Sequence, residues 1–501
     1  MINTIFCATR YRNGAKIVAV EGGFHRGLPS FNISGLANHS IQEAKHRVQS
    51  ALQSAQIPLP PMRFILNLSP ADLPKSGSHF DLPIALLGAL QKERLEEEWF
   101  AFGELGLDGV LKYQEEIFPL LLEIALQKRN AKVILPKGGE KICSPIPHLS
   151  LYFVSTLQEA LELLKSNPLP PSFAKRALEF QSIEVLGERY YYTQDFTYDF
   201  SDVLGQEVAK RVALISACGM HNFILEGSPG CGKSMIAKRM RGILPPMSLE
   251  EMIECVKLQA LGNQSTNYSP LRPFRSPHQS ASKSSILGSA TNIEAKIGEI
   301  ALAHYGILFF DELPHFKKDI LESLREPLEN NALVISRVHS KIEYETSFLF
   351  IGAQNPCPCG NLLSVSKECR CQDKEINAYR NRLSEPFWDR IDLFTQMSEK
   401  KEGKAGMSSK QMQERVFEVF AIQKRRGQKN LNGKLSEKEV ALYCILEPEC
   451  FELIERMQEK FGLSFRGIQK VKKVARTIAD LEGSEKIKKT HLIEAFGYRK
   501  I

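Results

Sequence analysis

Apolar positions along this chain follow two rhythms, and their order divides the chain into segments. Short contiguous or alternating runs at Ile17-Val-Ala-Val, Phe64-Ile-Leu-Asn-Leu and Lys132-Val-Ile-Leu predict strands. Between them, Ser40–Gln53 and Leu82–Gln91 carry helical patterning. Residues 1–165 therefore read as an α/β or α+β unit. Asn167-Pro-Leu-Pro-Pro-Ser opens a proline-rich linker over 166–194. Residues 195–400 bring further apolar strands, Phe223-Ile-Leu, Gly306-Ile-Leu-Phe-Phe and Phe348-Leu-Phe-Ile. From Ser408 the pattern is helical with few strand signals, so 401–501 is expected to be a small helical domain.

The Phe223 strand runs directly into Gly227-Ser228-Pro229-Gly230-Cys231-Gly232-Lys233-Ser234, which fits G-x-x-x-x-G-K-[ST] and opens a helix. The glycines let the backbone approach phosphates closely, and the helix N-terminus adds a favourable partial charge. Backbone N–H groups would cradle the α- and β-phosphates, Lys233 would reach the β- and γ-phosphates, and Ser234 would sit on Mg²⁺. A nucleoside triphosphate with Mg²⁺ is the cofactor this predicts. The Gly306 strand ends in Asp311-Glu312, where a first acid holds the hydrated magnesium and a second polarises the attacking water. The Phe348 strand ends in Gln354-Asn355-Pro, which puts an amide at the ligand crevice of a parallel sheet, where it can orient that water. Arg390, in Trp388-Asp-Arg-Ile-Asp-Leu, and Arg466, in Ser464-Phe-Arg-Gly-Ile, are by residue physics alone ordinary surface charges.

Composition adds three constraints. With 43% hydrophobic and 25% charged residues the 501-residue chain can bury sizeable cores and suits several domains. No window reaches the apolar length of a membrane span, the N-terminus lacks a signal-type apolar region, and the scattered cysteines suit a reducing compartment. A cytoplasmic protein is expected. The net charge of +7 is concentrated: residues 401–501 hold 22 Lys and Arg against 14 Asp and Glu, while the rest hold 43 against 44. Solvated helix faces and a polyanion-binding surface both account for that excess. One cysteine group is tight. Cys357, Cys359, Cys369 and Cys371 have a paired spacing that suits tetrahedral structural Zn²⁺, with reduced free thiols as the alternative.

Asp199-Phe-Ser-Asp-Val-Leu-Gly-Gln206, the phosphate loop, Phe309-Phe-Asp-Glu-Leu, Ala353-Gln-Asn-Pro and Trp388-Asp-Arg-Ile-Asp-Leu, in this order, resemble an AAA+ ATPase. Arg272-Pro-Phe-Arg-Ser-Pro-His278, Asn355-Pro-Cys-Pro-Cys-Gly360 and Val474-Ala-Arg-Thr-Ile-Ala-Asp-Leu481 narrow the resemblance to the magnesium-chelatase-related ComM/YifB family, across essentially the whole chain. By that resemblance Asn355 is sensor 1 and Arg466 is sensor 2. Arg390 is the arginine finger that reaches a neighbouring subunit's γ-phosphate, with Arg382 as a rival for the role. The family implies a homo-oligomer, a hexameric DNA helicase driving branch migration of recombination intermediates in natural transformation.

Three further resemblances follow. Asn331–Thr346 reads as two strand-like runs around a polar turn. In related motors this hairpin points into the central pore, which makes Arg337, His339 and Lys341 candidates for sequence-independent phosphate contacts; a solvated hairpin tip is the alternative. Ser276–Ser285 resembles a second pore insertion. In the N-terminal segment, Lys75-Ser-Gly77, Phe80-Asp-Leu-Pro-Ile-Ala-Leu and Gly103-Glu-Leu-Gly-Leu-Asp-Gly109 resemble the Lon-type protease fold, which is ribosomal S5-like. There His79 falls in the nucleophilic serine's place, one residue from Ser78, and Tyr113-Gln-Glu-Glu replaces the region of the partner lysine. An inactive scaffold is expected. The rival reading for the whole protein is a chelatase-like or protein-remodelling ATPase that does not act on DNA.

Overall fold

Alternating burial along Ile2–Tyr11 and Gly14–His25 makes one face of a long antiparallel pair, with Ile5 opposite Val20 and Cys7 opposite Val18. In the computed structural model, which describes residues 2–11, 14–91, 93–174, 178–290, 295–337, 340–399 and 406–500, this pair lies near the middle of a seven-stranded mixed sheet. Arg63–Ser69 and Ser30–Ser34 extend it on one side. Trp99–Ala101, Ala131–Pro136 and Leu149–Val154 extend it in parallel on the other. Helix His39–Ser54 begins where the Asn38 side chain accepts the Ile41 N–H at 3.2 Å, and it buries Ile41, Ala44, Val48 and Ala51 at helical spacing. Helix Asp81–Leu90 is apolar almost all round and is buried on nearly every side, as such a composition demands.

The segment expected as a linker holds more structure than its proline content suggests. Gln181–Val185 and Glu188–Tyr192 form a hairpin closed by Leu186 and Gly187, both at positive φ. Two such central residues give the primed turn whose twist suits a hairpin. The second strand pairs with Met247–Ser248, and Tyr190 meets the Phe420 ring edge-on at 4.9 Å.

A second sheet is wholly parallel and runs in the order Phe274–Arg275, Ile307–Phe310, Leu349–Gln354, Phe223–Glu226, Leu393–Gln396. Its central strands are buried along their whole length, which explains why they read as contiguous apolar runs. The C-terminal helices, among them Ser409–Arg425 and Phe465–Leu481, share one apolar core with this sheet: Phe223 and Leu225 pack in the same cluster as Val416, Val474 and Ile478. A buried polar seam reinforces the junction. His221, just before the central strand, meets Thr477 at 2.7 Å, and Asn432 donates to Thr477 at 3.1 Å and to Asp480 at 2.8 Å.

Three histidines are buried against their own ionisation. Desolvation lowers His79 and His221 to about 4 and His304 to about 3, from an ordinary 6.5. Between those values the unfolded chain binds the protons, so stability is fully present above pH 6.5 and is lost as pH falls towards 4. Acidification from pH 7 to pH 5 is expected to remove on the order of 2 kcal/mol per histidine. Urea melts across that range check this, and a flat profile would show that these rings can ionise in the folded protein.

Candidate nucleotide site

The parallel register brings three motifs to one edge of the second sheet. Glu226 pairs in register with Gln354 and with Gln396, so the phosphate loop after Glu226 and Asn355 after Gln354 emerge side by side. Asp311 follows the Ile307–Phe310 strand at the same edge. Gly230 and Gly232 adopt φ of 81° and 99°, a left-handed backbone that glycine enters without a Cβ penalty, and Lys233 opens the helix Lys233–Ile243.

Within this cluster the polar groups hold one another. The Lys233 ammonium donates to the carbonyls of Gly227 at 2.6 Å and Ser228 at 3.1 Å and to Asn355 Oδ1 at 3.1 Å. The Ser234 hydroxyl donates to Asp311 Oδ2 at 2.8 Å, and the Glu312 N–H donates to Asp311 Oδ1 at 3.0 Å. Glu312 itself sits at φ 50°, a left-handed conformation unusual for a glutamate. Ser234 and Asp311 offer a pair of oxygen donors, the chemistry a hard divalent cation prefers. Lys233, Ser234, Asp311, Glu312 and Asn355 thus converge.

Arg390 and Arg466 lie elsewhere. Arg390 precedes Leu393–Gln396, whose first residue is in register with Phe223, so it lies at the opposite edge of the sheet. Roughly 10 Å of strand, at about 3.3 Å per residue, separates that edge from the phosphate loop. There Arg390 and Arg466 share the Glu329 carboxylate, Arg466 at 2.8 Å. Next to them buried Asp392 binds Lys470 at 2.6 Å; burial opposes its charge, but Lys470 and the other neighbouring cations prevail and hold it at about 2. Arg382 is on the other side, where it donates to the Pro314 carbonyl at 2.9 Å in the loop beyond Glu312.

The four cysteines also come together. Their sulfurs all lie within 4.8 Å of one another, with Cys357 to Cys359 at 3.4 Å and Cys369 3.6 Å from each. Tetrahedral zinc with bonds of about 2.3 Å sets sulfurs about 3.8 Å apart, so these separations fit that coordination. The N–H groups of Asn361 and Arg370 favour the Cys359 thiolate. This loop packs on the phosphate loop, since a Cβ on Gly360 would lie 2.6 Å from Pro229 Cδ. A cavity of about 430 Å³ between Pro229–Cys231 and residues 361–367 is closed at one side by Glu399, which accepts from Ser364 Oγ and the Val365 N–H at 3.0 Å each.

Strands Ala332–Arg337 and Ser340–Glu345 pair as the expected hairpin, with Arg337 opposite Ser340 and Ser336 opposite Lys341. His339 and the side chains of Arg337 and Lys341 lie outside the described residues. The 276–285 stretch runs into the helix Lys283–Leu287, and Arg275 at its base is clamped by Glu299 at 2.6 and 2.9 Å. In the N-terminal unit Ser78, not His79, meets the Tyr113–Glu116 segment. Its hydroxyl donates to Glu104 at 2.5 Å, and Gln114 binds both. His79 is buried on the Ala8 carbonyl at 3.0 Å, and the Lys75 ammonium is spent on the carbonyls of Gly35, Leu68 and Pro70. No lysine is hydrogen-bonded to this hydroxyl among the described residues.

Three family models match the chain: "Magnesium chelatase, subunit ChlI" over residues 199–405, "Subunit ChlI of Mg-chelatase" over 20–139, and "Magnesium chelatase, subunit ChlI C-terminal" over 406–499. Competence protein ComM of Haemophilus influenzae is 37% identical over 97% of this chain and 95% of its own length. The YifB proteins of Salmonella typhimurium and Escherichia coli are 37% and 36% identical, each over 97% of this chain and 94% of their own. The chain belongs to the ComM/YifB family. As a magnesium-chelatase-like AAA+ family it brings nucleotide and Mg²⁺ with the fold. No helix among the described residues is long and apolar enough to cross a membrane.

Sequence reasoning missed Glu226 in this family member. It is buried at the tip of the central strand and accepts from Gln354 at 2.7 Å and Gln396 at 3.0 Å, which ties together three adjacent strand tips, those before the phosphate loop and Asn355 among them. An acid ending an apolar run was the available signal, but its partners are identified only by the register. Gly360→Ala is expected to weaken nucleotide binding several-fold by driving the cysteine loop against Pro229. Titration with a fluorescent ATP analogue checks this, and unchanged affinity would show that the two loops move independently.

Proposed function

We propose that the protein is an ATP-driven, ring-forming DNA motor that promotes branch migration of recombination intermediates in natural transformation. The observation that carries this reading is the separation of the phosphate loop from Arg390 and Arg466 across the sheet. An arginine held at the far edge cannot serve its own nucleotide, but it can serve a neighbour's, and a finger of that kind is worth about 10³–10⁵ in rate. Successive copies joined in this way close a ring, for which a hexamer is the proposed size. The DNA assignment draws on the relative named a competence protein and on the hairpin that follows Glu329. In this reading Arg337, His339 and Lys341 carry backbone contacts that are independent of sequence.

Lys233 would exchange its loop carbonyls for the β- and γ-phosphates. Ser234 and Asp311 would hold Mg²⁺, which neutralises phosphate charge when bound. Glu312 takes the role of polarising the attacking water and Asn355 that of orienting it, so turnover depends on position more than on covalent chemistry. The four cysteines would hold structural Zn²⁺ and fix the loop beside Asn355 and Pro229; four protein ligands leave no open position for catalysis. The match to magnesium-chelatase subunits supports a second reading, a chelatase-like remodelling ATPase that does not act on DNA.

Strand exchange on a mobile four-way junction tests the proposal. Lys233→Ala is expected to abolish ATP binding. Glu312→Gln should bind ATP normally, lose at least a hundredfold in turnover and exchange no strands. If junction DNA neither binds nor raises the ATPase rate of the wild-type protein, the remodelling reading replaces the DNA motor. For the metal, elemental analysis is expected to find one zinc per chain, and Cys369→Ser should lower Tm and hydrolysis together. Metal-free protein from a reducing purification would leave four free thiols and no zinc site.

A further inference from the structure

Arg390 and Arg466 come from distant parts of the chain, yet they meet on one carboxylate. Glu329 Oε2 takes Arg390 and Oε1 takes Arg466, one arginine to each oxygen. Two terminal oxygens of a phosphate offer the same pattern with more charge, and guanidinium forks bind both groups. Glu329 is one of several residues lining a cavity of about 420 Å³ that also takes in Gln469, Lys470 and Lys473. Donor capacity is left over there: the Arg390 Nε–H is buried and has no hydrogen-bond partner among the described residues. Lys470 is already committed to Asp392, and Glu329 is the carboxylate that pairs with both arginines.

The position of Glu329 along the chain is equally telling. It lies on the helix Arg325–Asn330, which ends at Asn331 in a left-handed conformation (φ 51°) and passes straight into the strand Ala332–Arg337. The Asn331 carbonyl accepts the Thr346 N–H at 2.7 Å and so closes the base of the hairpin. A displacement of Glu329 therefore moves a short helix that is covalently continuous with the hairpin.

We infer that Glu329 is an internal stand-in for the γ-phosphate of a neighbouring copy: it holds Arg390 and Arg466 together in the free protein, releases them when a nucleoside-triphosphate-bearing copy docks, and transmits that exchange to the hairpin. This rests on the reading of the two arginines as acting on a neighbour. Glu329 is a positioning residue. Its charge keeps two like-charged guanidinium groups side by side before the ligand arrives, and it competes with that ligand afterwards.

The experiment measures ATP-dependent assembly by light scattering, and the KM and kcat of hydrolysis with and without junction DNA, for full-length Glu329→Gln and Glu329→Asp. Glu329→Gln removes the competing charge, so it is expected to lower the ATP concentration for half-assembly and the KM by roughly tenfold, inside the usual 5–150-fold range of coupling between sites. Its stimulation by DNA should shrink, because the hairpin is no longer tied to the exchange. Glu329→Asp keeps the charge and should stay near wild type. A fall in Tm and kcat with half-assembly unchanged would make Glu329 a structural ion-pair partner and overturn the inference, as would an Asp variant shifted as far as the Gln variant. Mixing Arg390→Ala with Glu312→Gln separates the two ideas. Recovered activity in the mixture supports the neighbour-acting arginine and leaves Glu329 to be decided by the half-assembly shift. No recovery overturns the arginine reading and the inference with it.

Discussion

The register of the parallel sheet is the constraint on which the site depends. Phe223–Glu226 is flanked on both sides by strands that stop level with it, Phe223 against Ile351 and Leu393, Glu226 against Gln354 and Gln396. Because all of them run the same way, every strand tip that carries chemistry emerges at one edge, and every residue that precedes a strand lies at the other. A slip of one residue would turn each buried side chain to the opposite face and separate Lys233 from Asn355. The buried Glu226 carboxylate, accepting one amide from each neighbouring tip, works against that slip because its charge would be left unsatisfied.

What could be read from the sequence follows from this geometry. The phosphate loop, Asp311-Glu312 and Asn355 each end a contiguous apolar run, so local pattern alone marked them as strand-tip residues. The helices at His39–Ser54 and Asp81–Leu90 were legible for the same reason. The Gln181–Tyr192 hairpin was not, because its proline-rich approach and polar outer face gave a loop-like composition while its partner strand lies some distance along the chain. Nor was the meeting of Arg390 and Arg466 at Glu329. Three charges, two on separate helices and one in the turn after Glu385–Trp388, carry no periodic signal, and only tertiary packing brings them together.

The N-terminal unit illustrates how local likeness can mislead by one position. Pattern placed His79 where a nucleophile would stand, but the 3₁₀ turn at Ser78–Phe80 carries His79 into the core and leaves the Ser78 hydroxyl facing Glu104 and Gln114. The only lysine nearby in sequence, Lys75, is enclosed by backbone carbonyls.

The seam between the C-terminal helices and the sheet has a mechanical consequence. His221, Thr477, Asn432 and Asp480 are buried together, and the apolar side chains around them form one continuous core. Opening a hinge there would expose that core and strand several polar groups, so the helices and the sheet must travel as a single stiff body. In the proposed ring, the softness needed for a power stroke then belongs to the joints between subunits rather than to a flexing lid within each one. A ring built this way works like a crown of wedges, in which each nucleotide changes the angle between two neighbours and leaves the seam between sheet and C-terminal helices unaltered.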